Sequence, residues 1–272
     1  MRAEGDLPSA VKVVGWVGAI LFWVVQLTLL LVFDLALADT ILLAVLLVAV
    51  PAVATAQLPL IASVRVERLP AYWGSIATLW LLGSACWLVG TRTGGAAALG
   101  LLPLAPVSMA LWSVGLTLCG LLTILLFREI SVWTGAEESP VLRDLMPRTR
   151  QEKGVFGLLS LAAGVAEELA YRGYAIPMLA PLVGVGGAAV LTSGVFGALH
   201  GYQGWLGTLR TGLMGGLLAW GFLASGSLWP AIVAHTAIDL IAGIVLGEKL
   251  LPPLRGAGVV GALDARSPET ER

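Results

Sequence analysis

Charge is what this chain has least of. Only 12% of its residues are Asp, Glu, Lys or Arg, about half of the roughly 25% that a soluble domain carries. The net charge of -1 offers no basic field to nucleic acid, which is not expected as a partner. Cysteine is nearly absent. Cys86 and Cys119 both lie in apolar runs, so they are expected as buried small hydrophobes, not as a disulfide framework or a metal pair. Histidine is limited to His200 and His235. HExxH is missing, which excludes a standard zincin helix. GxSxG is missing too, and no serine sits in a comparable setting, so a nucleophilic serine is a weak reading.

What fills the chain instead is apolar: 58% hydrophobic residues and a mean hydropathy of +0.91 make it an all-α, polytopic membrane protein with the lipid bilayer as its solvent. Crossing the hydrocarbon core takes roughly 20 apolar residues, and eight stretches qualify. They are Val11–Phe33, Ile41–Ala62, Tyr72–Val89, Val107–Phe127, Gly154–Ala180 (kinked or ended near Pro177), Val183–His200, Trp205–Ala224 and Trp229–Leu246. The first is longer than a signal peptide's apolar region, so it reads as a retained span although Ala36-Leu37-Ala38 resembles a cleavage site. The organisation expected is four N-terminal spans in residues 1–127, a polar connection in 128–153, a four-helix core in 154–247 and a polar tail in 248–272, disordered from about Leu251. Val141–Met146 reads equally as a short interfacial helix and as a solvated loop. Arg and Lys gather at the N-terminus, around Arg65–Arg68, in Arg128–Lys153 and in the tail. By the positive-inside rule this places both termini in the cytoplasm. Trp73, Trp133, Trp205 and Trp229 fall near span ends, where interfacial anchors belong. Ser193, Gly197 and Gly201, then Gly212 and Gly216, space small residues so that helices can approach closely.

Against this background the stretch Gly164–Pro177, GVAEELAYRGYAIP, stands out. Glu167, Glu168 and Arg172 lie within it, and ionisable groups inside a span are expensive and mark function. Positions four apart share a helix face. Glu168 and Arg172 are therefore expected to pair, whereas Glu167 has Tyr171 at that distance and is left free to act as a general base. Downstream, His200 ends FGALH, and His235 and Asp239 lie four apart in HTAID. Both histidines and nearly all mid-span charges thus occupy one third of the chain, as one site would require.

Two chemistries fit these residues, and both hydrolyse an amide. In one, Glu167 with His200 activates water while His235 and Asp239 stabilise an oxyanion. In the other, Glu167, His200 and His235 ligate a divalent metal such as Zn, with Glu168 or Asp239 supporting the ligands or acting as base.

Three motifs in this order, EExxxR (Glu167, Glu168, Arg172), FxxxH (Phe196, His200) and HxxxD (His235, Asp239), resemble the CPBP intramembrane protease family, also called Abi, which includes the type II CAAX prenyl endopeptidases. The resemblance covers about Leu145 to Leu246 and begins with the lead-in LMPRTRQEKG. It implies an eight-helix, cavity-forming membrane protease, with Glu167 activating water, His200 beside it, and His235 and Asp239 on the oxyanion side. One departure matters: Asn often fills the last motif position, and an ionised Asp239 would repel an oxyanion. The function expected is cleavage of a membrane-associated peptide or protein, either CAAX-type or bacterial peptide and tag processing, in a bacterial cytoplasmic membrane. The alternatives are a non-proteolytic scaffold or immunity protein of the same fold, and a proton-coupled transporter, for which the repeated halves with broken helices are lacking.

Depth sets a constraint. His200 ends one span and His235 begins another of the same direction, so straight full-length helices would hold them at opposite faces. One site therefore requires that Gly226–Pro230 lie well inside the membrane, or that the Val183–His200 helix be short or tilted. The expectation is a cavity open to the cytoplasm with the two histidines within about 8 Å, and a separation above about 15 Å would break the proposal.

Overall fold

The computed structural model describes residues 9–61, 66–136 and 139–250. The disorder expected from about Leu251 falls outside these residues. All regular structure among them is helical. In order, α1 is Ser9–Leu31, α2 Leu37–Ala44, α3 Val50–Ile61, α4 Arg68–Gly90, α5 Gly95–Ala98, α6 Pro106–Thr134, α7 Pro140–Asp144, α8 Arg150–Glu167, α9 Ile176–Leu199, α10 Trp205–Ser225 and α11 Trp229–Leu240. Wider, π-helical turns join α2 to α3 (Val45–Ala49) and α8 to α9 (Glu168–Ala175), and another extends α11 (Ile241–Leu246). The chain is a multi-pass, all-α membrane protein.

Six helical runs among the described residues are long and apolar enough to span a bilayer, and each of the eight stretches expected corresponds to a helical segment. The difference has two sources. The 21-residue α10 is not among the six, since its glycines and Arg210 dilute its apolar content. And the two spans expected on either side of Pro181 belong to one run, Arg150–Leu199. That run cannot be straight. Phe196 packs on Arg172, whose guanidinium carbon is 4.5 Å from the ring centroid; two dozen residues of straight helix would separate them by about 36 Å. The chain reverses at Gly184, whose φ of 77° and ψ of 158° are non-helical. Positive φ is cheap only for glycine.

This reversal, not Pro177, divides the run. At Pro177 the helix passes unbroken because the π turn relieves it: the Ile176 N–H reaches back five residues to the Tyr171 carbonyl, and such wide turns recur at functional sites. The limb after Gly184 holds only about 15 residues, or roughly 22 Å, less than the roughly 30 Å hydrocarbon core.

The turn before α11 is packed inside the protein. Ser227 and Leu228 are fully buried. The Leu228 N–H donates to the Gly100 carbonyl at 2.7 Å, and the Ser227 hydroxyl to the Leu102 carbonyl at 2.6 Å. Irregular backbone is thus satisfied by other irregular backbone, the condition under which a membrane interior would tolerate it. Gly173 in the π turn abuts this seam, because a Cβ there would meet the Leu99 carbonyl and the Leu228 side chain, both at 2.9 Å.

Helix contacts follow the small residues. α9 meets α10 where a Cβ on Gly197 would lie 2.7 Å from the Thr208 carbonyl and 2.9 Å from the Gly212 Cα. α8 meets α11 at Gly164, where a Cβ would overlap the Thr236 hydroxyl. The N-terminal helices are clamped to the motif region by Asp39, which accepts from the Tyr174 hydroxyl at 2.9 Å and pairs with Arg92.

Other expectations divide. Trp73, Trp133, Trp205 and Trp229 are all exposed, as anchors should be. Cys86 is buried, but Cys119 faces outward: on a lipid-facing helix an apolar residue needs no protein neighbours. The stretch left open between helix and loop forms the short α7, whose first turn is capped by Ser139 accepting from the Val141 N–H.

Candidate active site

The first motif spans the junction of α8 and the π turn. α8 begins on a capping box, Thr149 with Glu152, which fixes its register from the polar end. Glu168 and Arg172 then pair as their spacing predicts, Arg172 Nη1 lying 2.7 Å from Glu168 Oε1. Both side chains are fully buried. The other end of the guanidinium donates to the Gly215 carbonyl at 3.1 Å and lies over Phe196. Arg172 is therefore held by a carboxylate, a carbonyl and an aromatic face, on three different segments.

Glu168 has a second partner. Its Oε1 also accepts from His235 Nδ1 at 2.8 Å, which joins the first motif to the third. The His235 Nε2 edge lies 3.7 Å from both Glu167 Oε2 and Asp239 Oδ2. Glu167 and Asp239 retain 18% and 37% side-chain exposure, so they are the two carboxylates that solvent can reach, while Glu168 is sealed. The helical division of the adjacent glutamates is thus visible in their burial.

Phe196 holds the second motif against the others. Its centroid is 4.9 Å from that of His200 and 6.0 Å from that of His235. The sum of these, an upper bound on the ring separation, is well short of about 15 Å. His200 Nδ1 is 2.8 Å from the Phe196 carbonyl. A carbonyl only accepts, so that nitrogen carries the proton and Nε2 holds the lone pair. The six residues singled out in the sequence, Glu167, Glu168, Arg172, His200, His235 and Asp239, are therefore gathered around one aromatic ring and one buried ion pair.

As placed, no group of three or more His, Cys, Asp or Glu side chains among the described residues is arranged to hold a metal ion. The Glu167, His200 and His235 ligand set is not preassembled.

Sequence reasoning missed Tyr202. It lies in the short 3-10 turn Gly201–Gln203, with its ring 5.9 Å from that of His200. Burial above all, with Glu167 and Asp239 adding to it against a lowering bond from Gln203, pushes its hydroxyl pKa up, so it stays protonated. Tyrosine beside histidine carries no motif signal; the clue would have been a lone polar residue two positions after a site histidine. An apolar groove of about 490 Å³, lined by Trp80, Trp87, Leu169, Trp229 and Ile232 among others, adjoins the motif helix but is lined by none of the six residues. It is not the cavity expected to hold the two histidines.

Comparison with known proteins agrees with the motifs. Residues 151–241 match the family model described as type II CAAX prenyl endopeptidase Rce1-like. The resemblance to the CPBP intramembrane proteases is borne out over that segment, a third of the chain. No curated protein and no solved structure matches.

Proposed function

We propose that this protein is an intramembrane endopeptidase that hydrolyses a peptide bond of a membrane-associated peptide or protein with water activated by Glu167. The observation carrying this reading is the contrast between the two adjacent carboxylates: Glu168 is sealed and consumed by Arg172 and His235, whereas Glu167 is reachable and 3.7 Å from an imidazole nitrogen. Glu167 takes a proton from water as the water oxygen bonds to the scissile carbonyl carbon, and the carbonyl electron pair moves onto its oxygen. When that pair returns, the C–N bond breaks and the amine leaves with the proton that Glu167 held. His200 lies on the water side and His235 on the side of the carbonyl oxygen. Glu168 and Arg172 position His235 and do not react.

Substrates would enter from the cytoplasm. The turn carrying Tyr202 is bonded to the basic connection, where the Ser139 N–H donates to the Gln203 carbonyl at 3.3 Å, and basic connections stay inside. CAAX-type tails and bacterial leader peptides or tags both suit such a mouth. The test is a comparison of membrane peptides in cells carrying wild-type protein or Glu167→Gln. Uncut precursors should accumulate in the variant. Unchanged processing would make the protein a non-proteolytic scaffold or immunity factor.

A further inference from the structure

The site has a shortage of hydrogen-bond donors. His200 commits its Nδ1–H to the Phe196 carbonyl at 2.8 Å, and His235 commits its own to the Glu168 carboxylate at 2.8 Å. Each neutral ring is left with an acceptor at Nε2. A second proton on His235 would put an N–H there, but midway between the Glu167 and Asp239 oxygens, both at 3.7 Å. Arg172 is fully buried behind Glu168. Asp239, when ionised, only accepts. Hydrolysis places a negative oxygen in this site, and the groups that surround it are carboxylates and lone pairs.

Tyr202 supplies what is missing. Its hydroxyl accepts a bond from Gln203 Nε2 at 3.4 Å. The Gln203 amide cannot be turned the other way, because its oxygen accepts from Arg210 Nη2 at 3.0 Å, and Arg only donates; Thr211 Oγ1 sits on the same oxygen at 3.3 Å. A Cβ on Gly207 would overlap the Gln203 side chain, so the glycine there makes room for it. With its lone pair engaged by Gln203, the Tyr202 hydroxyl keeps its proton for another partner, and it donates to no group among the described residues. Its ring packs on that of His200, with centroids 5.9 Å apart. We infer that Tyr202, oriented by Gln203, donates to the carbonyl oxygen of the scissile bond as that oxygen becomes negative, taking the part that an acidic Asp239 cannot.

This assignment rests on the hydrolase reading, and the experiment separates the two. The substrate is a peptide that accumulates uncut in Glu167→Gln membranes, presented to purified full-length protein in lipid nanodiscs. Tyr202→Phe keeps the ring and removes only the hydroxyl. It should lower kcat about 100-fold, as loss of one oxyanion donor does, with kcat/KM falling equally and the unfolding temperature unchanged. Gln203→Glu should give a similar loss, since a carboxylate would draw the tyrosyl proton to itself. Adding Asp239→Asn to Tyr202→Phe should restore about tenfold of the rate by putting an amide N–H near the oxygen. Wild-type kcat in Tyr202→Phe, or a change confined to KM, overturns the assignment and leaves the hydrolase reading standing. Absence of any peptide that depends on Glu167 overturns both.

Discussion

His235 Nδ1 donates to Glu168 Oε1 at 2.8 Å, across 67 positions of sequence. Because the same oxygen binds Arg172, the orientation of the imidazole is inherited from an ion pair that solvent never touches. Glu168→Gln keeps the shape of the side chain but leaves Arg172 charged and uncompensated in the interior. Breaking one partner of a buried pair costs about 3–5 kcal/mol. A large fall in unfolding temperature and loss of cleavage are expected together. Glu168→Gln with Arg172→Gln should recover part of the stability and none of the activity.

The crossing of α8 and α11 depends on Gly164. A Cβ there would overlap the Thr236 hydroxyl and also stand 3.0 Å from the Thr236 nitrogen and 3.1 Å from the Ile232 carbonyl. Gly164→Ala should push the helix bearing His235 away from Glu167, reducing cleavage more than stability. Thr236→Ala in the same chain removes the hydroxyl but not the backbone, so cleavage assays should show partial rescue.

Gly197 and Gly194 make a controlled comparison. At Gly197 a Cβ meets backbone of α10 at 2.7 and 2.9 Å, while at Gly194 nothing lies within 4 Å. Gly197→Ala should destabilise by about 1–3 kcal/mol, the usual cost of overpacking. Gly194→Ala should be neutral or stabilising by up to about 1 kcal/mol, from helix propensity alone. Thermal unfolding in detergent reads both.

Cleavage by a glutamate-activated water should survive prolonged treatment with a strong chelator. Loss of activity on chelation, restored by one divalent metal, would instead require Glu167, His200 and His235 to gather around an ion. Metal content of the purified protein, measured alongside, separates a stripped site from an inhibited one.

The sequence made the ion pair and the convergence of the motifs legible because i,i+4 spacing and the cost of charge in apolar surroundings are local rules. The depth problem was legible too, since it follows from counting residues against bilayer thickness. The parting of two stretches between Ala180 and Val183 was legible from length alone, but the residue at which the chain turns was not: Gly184 looks like any glycine in VGVGG, and its backbone angles single it out. The wide turn over Glu168–Ala175 was hidden for a related reason: its hydrogen bonds leave no composition signal, and Pro177 alone suggested a break where the chain continues. Tyr202 escaped notice because its role depends on which way the Gln203 amide and two imidazoles point, and spacing carries nothing about tautomers.

The wide turn between α8 and α9 acts as a rotational spacer. One residue of α-helix turns the face by about 100°, so the extra residue that a π turn accommodates sets the phase of everything after it relative to Glu167. Deleting a single residue between Arg172 and Pro177 would let ordinary helix form, preserve every motif, and still swing Gly184 and the limb carrying Phe196 and His200 around the axis. Protein of this kind could insert and fold with all six site residues intact and be inert, which makes chain length within this turn as much a part of the site as the residues themselves.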